Sequence, residues 1–198
     1  PPRSTLFPYT TLFRSFEASV VKDGTEALAK IKDLVPAGSE VFTMASMTLD
    51  GTGISQELNE SGRYGSVRAK LGSMDQATQG REMRKLGAAP DVALGSVHAL
   101  TDDGIAVIAS LTGSQLPAYA SGAGKVIFVV GSQKIVKNLD EAMERLESYV
   151  VPLESARARK AYGLPDTFNS QANKILLLKG EVQPGRIIFI LLEETQGF

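Results

Sequence analysis

The chain has 198 residues, 43% hydrophobic and 22% charged, which suits one ordinary soluble domain with a proper core and excludes a collagenous or disordered chain. Twenty-one basic residues against 22 acidic ones leave a net charge of −1, without the basic excess that a phosphate backbone demands, so nucleic acid is not an expected partner. With no cysteine and one histidine, disulfides, thiol nucleophiles, zinc ribbons and cysteine-held iron–sulfur clusters are excluded together; no metal or cofactor is expected, and no apolar run approaches the about 18 residues of a membrane span.

Residues 1–15 depart from the rest. Pro1, Pro2, Pro8, Phe7, Tyr9 and Phe13 crowd into a stretch with neither strand alternation nor helical spacing. Its last eleven residues, TLFPYTTLFRS, look like the in-frame translation of a common sequencing-adapter oligonucleotide. The segment is therefore expected to be non-native, to add nothing to the core and to stand in place of the true N-terminus. One domain is expected over 16–198, where 19 basic and 22 acidic residues give a formal charge of −3.

Residues 16–21 form a short β-rich run, and Asp23 with Glu26 is a capping-box signature that opens a helix. Ala27, Leu28, Ile31, Leu34 and Val35 share one face of that helix, which Pro36 and Gly38 end. EVFTMA at 40–45 reads as a buried strand; SMTLDGTG is then a loop, and Ile54 and Leu58 mark a helix that stops near Gly62. Residues 63–86 are polar and weakly periodic, predicting a loop and then a helix from about Met74 that Pro90 closes.

The apolar run 92–100, the turn Asp102-Asp103-Gly104 and the run 105–109 predict a hairpin or two closely linked strands. A short helix tolerating Pro117 in its first turn follows and ends at Gly122 and Gly124. KVIFVV at 125–130 is the continuous apolar run of a strand covered on both faces of a parallel sheet. Asn138 and Glu141 form a second capping box before a helix with Leu139, Ala142, Met143, Leu146 and Val150 on one face, and Pro152 begins another helix. Residues 175–178 and 187–192 are the last strands. Strands separated by helices predict a mostly parallel α/β sheet with right-handed crossovers.

In such sheets ligands bind beyond the carboxyl ends of the strands. Three loops qualify. After 40–45 come Ser46, Thr48 and Asp50 with Gly51 and Gly53, whose hydroxyls and backbone amides can hold a carboxylate or phosphate, or of which Thr48 or Asp50 is simply an N-cap. After 125–130 come Gly131, Ser132, Gln133 and Lys134, where the glycine frees amides and Lys134 offers a cation, or is a solvated loop lysine. The third loop supplies Ser110, Thr112, Ser114 and Gln115, any of which can cap the next helix. His98 could serve as a general base but reads better as a strand histidine satisfied by hydrogen bonds, and Asp102 and Asp103 could be paired catalytic carboxylates but read better as turn formers. No nucleophile elbow, Walker A or dinucleotide fingerprint is present.

Residues 95–146, from GSVHALTDDGIAVIASLTGSQ to NLDEAMERL, are similar to the core of the lactate-utilisation (LUD) domain family, as are SMTL at 46–49, PLESAR at 152–157 and GRII at 185–188. The order and spacing of these motifs extend the resemblance over nearly everything after Ser15. It implies a Rossmann-like layered α/β fold with a mostly parallel sheet, akin to the NagB, ribose-5-phosphate isomerase and CoA-transferase group. It also implies a bacterial, cytoplasmic setting and a link to the oxidation of L-lactate to pyruvate, by system and not necessarily by catalysis. A larger relative joins this domain to a cysteine-rich iron–sulfur module; without cysteine this chain passes no electrons through a cluster and would work beside a separate iron–sulfur redox protein. The CoA-transferase relatives use a glutamate nucleophile, and no glutamate follows a predicted strand in a glycine-rich setting here.

Two readings stand. The first is an accessory or ligand-binding component of an organic-acid utilisation system, holding a small anion among Ser46, Thr48, Gly131, Ser132, Lys134, Ser114 and Gln115. The second is an enzyme acting on a small carboxylate, sugar phosphate or acyl-CoA in the same cleft. Catalytic residues and oligomeric state stay open.

Overall fold

The computed structural model describes residues 16–198, so the adapter-like segment lies outside the described residues. In chain order the elements are β1 (Glu17–Val21), α1 (Gly24–Leu34), β2 (Glu40–Thr43), α2 (Met47–Gly51), α3 (Ile54–Glu60), β3 (Gly65–Ser66), α4 (Val67–Gly72), α5 (Gln76–Ala88), β4 (Val92–Gly95), β5 (Ala99–Thr101) and β6 (Ala106–Ser110). A π-helical turn (Ala118–Gly122) leads to β7 (Lys125–Gly131), β8 (Ile135–Val136), α6 (Leu139–Arg145), α7 (Val151–Tyr162), β9 (Lys174–Leu178) and β10 (Ile187–Leu192).

Six strands build one all-parallel sheet in the order β1-β10-β7-β4-β2-β3. β7 lies inside it, as its unbroken apolar run predicts, and its side chains divide between two cores. Ile127 and Val129 face Ala27, Ile31, Leu49, Ile54 and Leu58 of α1, α2 and α3. Val126, Phe128 and Val130 face the opposite way, onto Leu100, Ala106, Ile108 and Leu178 of a second sheet. The architecture is Rossmann-like in its layering, and the second sheet is an addition that strand counting alone did not predict.

That second sheet has the order β8-β5-β6-β9, with β5/β6 and β6/β9 antiparallel and β5/β8 parallel. Its other face packs on Ala142, Leu146 and Val150. The apolar run 92–100 is thus two strands of different sheets, β4 and β5, divided at residues 96–98. The predicted hairpin is β5 with β6, and its turn forms around Thr101, whose backbone N–H and hydroxyl both bond within 101–105.

Local chemistry sets the helix starts. Asp23 accepts from the amides of Thr25 and Glu26, and Asn138 accepts from the amide of Glu141. One expectation changes and another is extended. SMTLDGTG is no loop: Ser46 caps a short helix by accepting from the Leu49 amide at 3.4 Å, so Thr48 and Asp50 sit inside α2 and the N-cap lies before both of them. Pro152 does stand in the first turn of a helix that runs to Tyr162, as expected, but that helix, α7, is joined to α6 without a break by a π-helical stretch, Leu146–Val150. The looser turn accommodates a proline that has no N–H to give to the preceding turn.

Candidate functional site

The carboxyl ends of β2, β4 and β7 open toward one side, and there the chain passes twice, side by side, from the parallel sheet to the second sheet. Residues 96–98 join β4 to β5, and Ser132–Lys134, a turn of 3-10 helix, joins β7 to β8. A cavity of about 920 Å³ lies at this junction, walled by the strand ends, the second sheet, α4, α5 and α7.

Lys134 is the centre of its polar end. It is only 3% exposed, yet its ammonium meets hydroxyls and no carboxylate among the described residues: Nζ donates to Thr48 Oγ1 at 2.9 Å and to Ser96 Oγ at 3.0 Å. Thr48 Oγ1 in turn donates to the carbonyl of Gln196 at 3.0 Å. Burial, reinforced by the guanidinium of Arg145, lowers the Lys134 ammonium from 10.5 to about 7. The solvated loop lysine of the sequence reading is therefore a buried one.

His98 also lines the cavity. Its Nδ1 accepts the Ala109 amide at 3.0 Å, which places the ring proton on Nε2. Burial first, then Lys134 and Arg145, lowers its pKa from 6.5 to about 4, so the ring is a neutral donor at physiological pH. Arg145 bonds the carbonyl of His98 through Nε at 3.1 Å, and its Nη2 is buried without a hydrogen-bond partner. Burial lowers its pKa as well. Arg68, on the opposite wall, spends Nε and Nη2 on the carbonyl of Thr43 at the end of β2. Glu154 is the one acidic side chain along the wall among the described residues, and Arg157 holds both its oxygens at 2.6 and 2.7 Å. Among the lining side chains three basic residues, Arg68, Lys134 and Arg157, stand against one acidic residue, Glu154.

The residues singled out from sequence divide into three groups. Ser46, Lys134, Ser114 and Gln115 reach the cavity wall, the last two tied to the end of β6 through Ser110. Thr48 is fully buried behind Lys134. Gly131 and Ser132 lie beneath the segment 194–197: the Ser132 amide donates to the Glu194 carbonyl at 3.1 Å, and a Cβ on Gly131 would meet the Gln196 amide nitrogen at 2.6 Å. The sequence does not single out Ser96, Arg68, Arg145, Arg157 or Tyr119, and His98 reads there as structural. Only Ser96 carries a local signal, a polar residue interrupting the apolar run 92–100. Among the described residues no group of three or more His, Cys, Asp or Glu could hold a metal, and no helix is long and apolar enough to cross a membrane.

Comparison with known proteins agrees with the layering. The family model of the LUD domain matches residues 13–192. Among solved structures, the chain is similar to the crystal structure of a duf162 family protein from Deinococcus radiodurans, with a TM-score of 0.53 and 16% identity over 96% of this chain and 95% of that one. At that identity the likeness speaks for the fold. No curated protein matches.

Proposed function

The chain belongs to the LUD domain family, which is associated with lactate utilisation, and from that premise we propose that it is an accessory, ligand-binding component of an organic-acid utilisation system that takes L-lactate to pyruvate. It holds a small anion where β2, β4 and β7 end, with Lys134 as the cation, Ser46, Ser114 and Gln115 along the wall, and Thr48, Gly131 and Ser132 as the frame behind. Electrons from the acid pass to a separate iron–sulfur redox protein.

The observation that carries this reading is the Lys134 ammonium, buried on two hydroxyls without a counter-carboxylate among the described residues. A buried charge is costly unless paired, so a site that keeps one unpaired is suited to an incoming anion. The neutral Nε2–H of His98 adds a donor that does not titrate in the working range. Calorimetric titration with L-lactate, pyruvate and inorganic phosphate tests it. One charge-assisted hydrogen bond contributes roughly 1.5 to 3 kcal/mol, so Lys134→Ala should weaken the anion that binds about tenfold to a hundredfold. Unchanged affinity in the variant refutes the site.

One observation favours the second reading, an enzyme for a small carboxylate, sugar phosphate or acyl-CoA. Lys134, at about 7, lies in the range of a general acid–base group. Turnover of any of these by the chain alone, lost in Lys134→Ala, would select that reading.

A further inference from the structure

The cavity is much larger than a three-carbon acid. Its volume of about 920 Å³ lies high in the roughly 300 to 1,000 Å³ range of pockets that enclose drug-sized ligands. Lactate at Lys134 would leave most of that space to water.

Apolar side chains line much of the rest of the cavity, beside Arg68, Glu154 and Arg157. Met44, Met47 and Met83, three of the five methionines of the chain, line it. Methionine side chains are flexible and polarisable, and adapt to apolar partners of varied shape. A second feature points the same way. Of the nine large hydrophobic residues that stay exposed among the described residues, Met47 at 40%, Leu111 at 37% and Tyr162 at 62% all open on this one cavity. Apolar surface gathered in a concavity marks binding, whereas single exposed side chains do not.

The cavity therefore joins a polar end, Lys134, Ser96 and His98 at the strand ends, to apolar surface from the methionines, Leu71 and Tyr162, with Arg68 and the Arg157–Glu154 pair set among them. We infer that the cavity takes an amphipathic organic acid, with its carboxylate at Lys134 and an aliphatic or aromatic body of several carbons against Met47, Met83 and Tyr162. This rests on the anion reading proposed above and adds the substrate class: lactate is then the smallest member of a series that the site prefers longer.

The test is calorimetric titration of the whole chain with 2-hydroxy acids of increasing length, from L-lactate through 2-hydroxybutanoate to 2-hydroxyhexanoate, and with 3-phenyllactate. Affinity should rise about fourfold per added methylene, which is about 0.8 kcal/mol. Met83→Gln, at a part-exposed position on α5, should flatten that rise. Lys134→Ala should weaken every member by a similar factor. Equal affinities along the series, still dependent on Lys134, overturn this inference and leave the anion reading standing. A rise with length that ignores Lys134 overturns the placement of the carboxylate, and no binding by any acid overturns both.

Discussion

Lys134→Met should make the protein more stable, and more so at low pH. Methionine keeps the buried aliphatic stem and removes the amine. Folding lowers the ammonium from 10.5 to about 7, and at about 1.4 kcal/mol per pKa unit this bounds the burden of the charge at ~5 kcal/mol. Because the pKa is lowered on folding, the unfolded chain binds more protons than the folded one between about 7 and 10.5, and wild-type stability rises with pH across that window. The penalty is fully present below about 7 and disappears above about 10.5. The hydroxyls left behind are not orphaned: Thr48 still donates to the Gln196 carbonyl, and Ser96 lies 3.4 Å from the Val97 carbonyl. Allowing for relaxation and water entry, a gain of about 2 to 3 kcal/mol is expected at pH 6, shrinking below about 1 kcal/mol near pH 10. Urea denaturation of both proteins at pH 6, 8 and 10, followed by circular dichroism, measures it. Destabilisation at all three pH values, or a gain that does not change with pH, would refute the claim that Lys134 carries an uncompensated buried charge.

Further outcomes are expected at four sites. Because His98 is the one histidine, its ring resonances can be followed without ambiguity; they should not titrate between pH 8 and 5. Its lowered pKa makes stability fall as pH drops from 6.5 toward about 4, by about 3 kcal/mol at most, and His98→Gln should remove that slope from the urea data. Phe128→Ala should cost about 3 to 5 kcal/mol, since the ring is fully buried with centroids 4.8 Å from Tyr119 and 5.3 Å from Phe189; a shift in the urea midpoint worth under 1 kcal/mol would contradict its central place. Arg186→Met takes the guanidinium from the carbonyls of Tyr119 and Ala123 and the ion-pair partner from Glu181, while the Ala118 carbonyl keeps the Ala123 amide, so a loss of about 3 kcal/mol is expected from the same measurement. Above pH 7 an anion that draws Lys134 back to its charged form should bind with uptake of close to one proton and weaken as pH rises, read by calorimetry in two buffers of different ionisation heat.

Much of the fold was legible in the residues themselves. The alternation in KVIFVV assigns Ile127 and Val129 to one core and Val126, Phe128 and Val130 to the other, because a strand sends successive side chains to opposite faces whatever its neighbours are. Asp23 and Asn138 mark helix starts because their partners are amides two or three residues away. Other features depend on groups far apart in the chain. Periodicity cannot reveal that residues 92–100 split between two sheets, since both strands are buried and equally apolar. Pro152 signals the start of α7 locally, but not the π-helical stretch that joins it to α6, whose Leu146 and Val150 pack on the second sheet. Lys134 follows a glycine and two polar residues and looks like any solvated loop lysine. Its burial comes from Thr48, 86 residues away, and Ser96, 38 residues away, which the sheet brings to the same strand ends. The desolvation of a charge is a property of everything that surrounds it, and that surrounding exists only once the two sheets have packed.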